Sequence, residues 1–322
     1  MRYTNKLIAA IFFLLPCTGL AQENSPYKKA TKHAFEYYEQ KEYLRSAKEY
    51  SRAFAMPNNT GDATDRYNAA CSWVLAGNKD SAYHHLYIAA RELGYDEYIH
   101  LNIDTDLEAI RSDKRWSALN DLVKANKAKK EKGTNKELIA ILDSVLILDQ
   151  KDRRRSDILV EKYGRNSKEA VELWQRVNLL DSLNVITVTQ IIDKYGWLGP
   201  EQIGFPGNQA LFLVIQHADI KTQMKYLPVM KEAVQKGNAR PSSLALLEDR
   251  TSLRNGGKQI YGSQIGQDAD GTHYVLPLED PENVDKRRES VGLGPLNEYT
   301  QHWGFNWDIE AYKKRISESK NK

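Results

Sequence analysis

Tyr37–Asn58, YYEQKEYLRSAKEYSRAFAMPN, is the stretch from which the architecture of the first half can be read. Small or aromatic residues fall at Ala34, Ser46, Tyr50 and Ala53, with spacings of 12, 4 and 3. The same spacings return 36 residues later at Ala70, Ala82, Leu86 and Ala89. Each set reads as a helix, a turn (Lys41-Glu42-Tyr43 or Ala76-Gly77-Asn78) and a second helix. Small residues at these offsets let two helix backbones approach closely, and the Tyr or Leu fills the space between them.

This pattern resembles the tetratricopeptide repeat, a paired-helix unit of about 34 residues with small residues at such offsets. The resemblance covers Pro26 to Ala90, and the turn-rich loop Met56 to Thr64 falls between the two copies. It implies a concave helical surface for a protein or peptide partner. Two copies need a cap, which Asp104 to Ala125 supplies with Leu107, Ile110, Trp116, Leu119 and Leu122 at helical spacing. Asp104 and Asp113 are suited to N-cap positions. The lysine-rich run Lys124 to Lys136, nearly devoid of large apolar residues, reads as a solvated connector.

Beyond it the pattern changes. Leu138 to Leu148 is an amphipathic helix, and Ser167 to Leu183 and Val185 to Tyr195 are two more. A turn-rich passage, Gly196 to Asn208, precedes helices over Ala210 to Ala218 and Ile220 to Val234, and Leu244 to Asp249 is a short one. Two β-prone runs, Gln259 to Ile265 and His273 to Leu278, flank Gln267-Asp268-Ala269-Asp270-Gly271 and predict a hairpin. Helices near Val284 to Val291 and Asp308 to Ser317 close the chain. The expected class is mostly α: a tetratricopeptide-like N-terminal module and an α-rich C-terminal domain with a small antiparallel β-hairpin. The expected divisions are 1–21, 22–125, 126–136 and 137–322, as leader, repeats with cap, linker and C-terminal domain.

Three polar clusters sit in apolar surroundings: Gln216-His217-Ala218-Asp219, Glu248-Asp249-Arg250, and Gln259-Ile260-Tyr261-Gly262-Ser263-Gln264. Polar groups that continue a buried helix must find partners or face a cleft. In this order, and with Tyr195-Gly196-Trp197 ahead of them, the clusters resemble a bacterial domain of unknown function often found in exported proteins. The resemblance spans about 135–310 and implies no reaction. From the residues themselves, His217 suits general acid–base work, since imidazole alone titrates near neutrality unperturbed. Asp249 or Asp219 could orient its ring, Arg250 could hold an anion, and Gln216, Gln259, Tyr261 and Gln264 could hydrogen-bond a small ligand. That is a hydrolase- or transferase-type pocket. The alternative is a satisfied polar core.

The N-terminus carries Arg2 and Lys6, then the apolar run Leu7 to Leu15, then Gly19-Leu20-Ala21. This is the pattern of a cleaved secretory leader, and the expected location is periplasmic or secreted. Pro16 before Cys17 argues for cleavage and against lipid anchoring. Cys71 would remain as a single thiol, and its Ala69, Ala70 and Val74 neighbours point to a core position. The formal charge of +3, from 46 basic and 43 acidic residues, points away from nucleic acid. The Leu7 to Leu15 run is too short to span a bilayer, and no later segment comes close. Scattered histidines, a phosphate-loop lysine missing from Gly196 to Gly207, and a calcium-like Asp268 to Gly271 whose Glu279 arrives too early together suggest neither metal nor cofactor.

Overall fold

The computed structural model describes residues 25–57, 61–131, 135–268 and 270–319. The expected leader and Cys17 lie outside the described residues, as do parts of the expected inter-repeat loop and linker. The described residues divide into two compact units, 25–131 together with 153–158, and 135–152 together with 159–319. No helix among the described residues is long and apolar enough to cross a membrane.

The first unit opens with two helical hairpins. They are α1 (Pro26–Glu39) with α2 (Tyr43–Phe54), and α3 (Ala63–Leu75) with α4 (Lys79–Arg91). Side chains start three of these helices: Ser25, Asp62 and Asn78 accept from the amides of Lys28, Asp65 and Ser81. The turn at Gly77 needs φ +84°, which costs a glycine nothing. The repeated small residues lie at the helix contacts. Ala34, Ser46, Ala53, Ala70, Ala82 and Ala89 are all fully buried, and Tyr50 and Leu86 are buried beside them. Ser46 and Ser72 join α2 to α3 through a 2.8 Å hydroxyl hydrogen bond.

The expected cap helix is in two parts, and of the two aspartates only Asp104 is an N-cap, since the N-cap of the second part is Lys114, which makes no side-chain cap bond. Asp104 accepts from the Asp106 amide and opens a 3-10 turn, Thr105–Ile110. Asp113 accepts from Arg115, the first residue of α6 (Arg115–Lys130), and α5 (Tyr98–Ile103) precedes both. Leu101, Leu107, Ile110 and Leu119 close the core over Tyr67 and Leu86. Lysine and alanine favour helix, and α6 accordingly continues through the lysine run as far as Lys130.

The second unit is built on long helices. α7 (Lys136–Tyr163) extends well past the expected Leu148, although its Arg153–Ile158 turn groups with the first unit. α8 (Lys168–Tyr195) merges two expected helices, since nothing between Leu183 and Val185 breaks the hydrogen-bond ladder. α9 (Pro200–His217) starts inside the passage expected as turn, with a kink where Gly204 takes φ +69° ahead of Pro206. α10 (Ile220–Gln235) and α11 (Pro241–Arg254) follow. The hairpin is smaller and later than expected. β1 (Ile265–Gln267) pairs antiparallel with β2 (His273–Val275), in the register Ile265 to Val275. Residues 260–264 are not strand. α12 (Val284–Ser290), α13 (Leu296–Gln301) and α14 (Ile309–Ser319) complete a small core of Val275, Leu278, Val284, Leu296 and Tyr312.

Candidate functional site

The apolar end of α9 is buried as its sequence demands, from Ala210 through Gln216. α11 buries Leu247, Asp249 and Arg250. Asp249 is fully buried, and its carboxylate is the hub of the loop that follows. Oδ1 accepts from the amides of Ile260 (2.6 Å) and Tyr261 (3.0 Å), and Oδ2 accepts from Ser263 (3.0 Å). The loop turns at Gly262, where φ is +70° and an added Cβ would meet Leu296 at 3.0 Å. Burial pushes the Asp249 carboxyl up from its ordinary range, against the downward pull of these amides.

Gln259 reinforces the same loop. It is fully buried, accepts from the Gln264 amide at 2.8 Å, and donates to the carbonyls of Gln264 and Leu276. Arg250 ties the loop to α9: Nε donates to Gln264 Oε1 at 3.1 Å and Nη1 to the Gln216 carbonyl at 2.9 Å. Gln223 on α10 donates to that same carbonyl, and Gln216 Nε2 donates to Leu246 O. Tyr261 is held by its backbone, its carbonyl accepting from Arg288 at 2.7 Å.

His217, the last residue of α9, faces elsewhere. Its Nδ1 is 2.9 Å from Asp149 Oδ1 on α7, with side chains only 2% and 1% exposed. Gln150 Nε2 also donates to Asp149, at 2.7 Å. Asp181 on α8 joins them: one ligand-type atom from each of Asp149, Asp181 and His217 lies within 4.8 Å of the others. Three helices thus bring two carboxylates and an imidazole together.

The clusters expected to converge therefore divide. Gln216, Arg250, Gln264, Gln259 and Asp249 form one connected hydrogen-bond network, with Tyr261 attached through its amide. His217 is bonded to Asp149, a residue not singled out from sequence. Asp219 is the exposed N-cap of α10, accepting from Thr222 N at 2.7 Å, and that amide holds its pKa below the usual carboxylate range. The strand expected from Gln259 does not begin until Ile265, because Asp249 occupies the amides that a ladder would need. Cys71 is buried, as its neighbours implied, with Sγ 3.7 Å from Asp104 Oδ2.

Asp149 and Asp181 were legible in principle. Each occupies an inward position of its helix: Leu142, Val145, Leu146 and Asp149 are all buried, and Val177, Asn184 and Val188 flank Asp181 at helical spacing. A carboxylate at such a position is the signal.

A model of a family described as of unknown function matches residues 137–309. No curated protein and no solved structure matches the chain.

Proposed function

Because the chain belongs to the DUF6624 family, to which its matched description assigns no activity, we propose a function from geometry: an exported binding protein whose paired helices take a peptide segment of a protein partner. One observation carries the reading. The first unit has an open cleft of about 560 Å³, walled by Leu44 and Trp73 and edged by Asn78, Lys79, Asp80 and Arg115. Leu44 is half exposed there, an apolar surface that a partner side chain would cover. Charges of both signs at the edge suit a segment with one apolar anchor between polar neighbours. The repeated small residues and the two stacked hairpins support kinship with tetratricopeptide repeats, which use their helices in this way. The leader-like N-terminus supports export.

Selection of binders from a random peptide library against the secreted chain tests this. Enriched peptides should share one large apolar residue, and Leu44→Asp and Trp73→Ala should each weaken binding at least tenfold. A library that yields no binder, or binders indifferent to both substitutions, refutes it. A second reading, acid–base chemistry at His217, is supported by the buried Asp149–His217 contact, in which the carboxylate would hold the ring in one tautomer. Asp249 would then act by anchoring the loop that carries Tyr261 and Gln264 near Arg250.

A further inference from the structure

We propose that Asp149, Asp181 and His217 form a binding site for one divalent transition-metal cation of the zinc type. The chemistry of the donors comes first. One imidazole and two carboxylates make the kind of three-ligand protein set that leaves such an ion an open position. The geometry agrees. Donor atoms within 4.8 Å of one another close around an ion with bonds of about 2.0–2.2 Å through shifts of under about 1 Å each. The three ligands come from α7, α8 and α9, so each is carried by a helix rather than a loop. Asp149 and His217 are almost wholly withdrawn from solvent, and two carboxylates gathered in such surroundings favour a cation between them.

A buried amide on the Asp181 face of α8 points to a ligand independently. Asn184 lies three residues beyond Asp181, on the same inward side of α8, and is 3% exposed. Its Nδ2 has no hydrogen-bond partner. Buried amide atoms of this kind are normally satisfied. A cation with three protein ligands keeps one or more positions for water, and such a water supplies the acceptor that the Asn184 amide needs. This assignment uses the second unit only and stands or falls apart from peptide binding by the first.

The test is calorimetric titration of the full secreted chain with Zn²⁺ after chelator treatment, with bound zinc counted by mass spectrometry. Wild type should bind one equivalent and melt at a higher temperature when loaded. Asp181→Asn and His217→Gln should each lower affinity at least tenfold. Asp193→Asn removes an exposed carboxylate from the same helix as Asp181 and should bind as wild type does. Should His217→Gln fail to fold, Asp181→Asn decides, because Asp181 is only partly buried. Wild type taking up no stoichiometric zinc overturns the proposal. So does a stoichiometric signal that survives Asp181→Asn in a folded protein, which would place the ion elsewhere. Neither readout involves turnover, so either failure would leave acid–base chemistry at His217 to be judged separately.

Discussion

Asp249→Ala separates a structural carboxylate from one that serves a ligand. In the native chain the side chain is fully buried and takes hydrogen bonds from three backbone amides, those of Ile260, Tyr261 and Ser263. Truncation strands all three. A buried donor left without an acceptor costs about 1–3 kcal/mol, so three would cost roughly 3–9 kcal/mol if nothing relaxed. Water entering the vacated space recovers part of that, and we expect about 3–5 kcal/mol. Asp249→Asn keeps one acceptor but turns an amide donor toward an N–H, and should cost about 2–4 kcal/mol. The assay is urea denaturation of the purified chain, followed by tryptophan fluorescence and circular dichroism. Each unit is compact by itself, so only the transition of the second should move. If Asp249→Ala stays within 1 kcal/mol of wild type, the loop does not depend on this carboxylate and the reasoning fails.

Gly262→Ala must take φ +70° with its Cβ 3.0 Å from Leu296, and should destabilise the second unit by about 1–3 kcal/mol in the same assay. His85 is pushed down to about 4, first by burial and then by the Arg66 guanidinium 3.0 Å away. The folded state therefore resists a proton that the unfolded chain accepts below about 6.5, and stability is lost as pH falls from there. The loss from this group should reach about 2 kcal/mol between pH 7.5 and 5, and His85→Gln should abolish it in paired thermal melts. Asp106 has the opposite sign. Burial, then Asp104, lifts it to about 6, so stability is lost as pH rises through that value, and Asp106→Asn should remove this component. Mass spectrometry of the protein recovered from the cell envelope or medium of a bacterial host should find an N-terminus near Gln22, and a chain that retains Met1 would contradict the proposed leader.

The sequence by itself determined the helical class, because apolar spacing along a helix is local. It also determined the paired helices of the first unit, since Ala34, Ser46 and Ala53 declare a close helix contact without reference to any distant residue. Burial of Cys71 and of the α9 run followed for the same reason. Helix ends were less legible: α8 continues through Leu183 because a break there would have needed a residue that opposes the ladder, and none is present. What tertiary structure alone decided is which polar groups meet. Asp249 draws in three amides from 11 to 14 residues away, which turns an expected strand into a loop. His217 finds Asp149 across 68 residues of sequence, and Asp181 joins them from a third helix. Hydrogen bonds and metal ligation act between atoms a few ångströms apart, whatever chain lies between. Periodicity marks which residues turn inward, and only packing brings two inward-facing residues together.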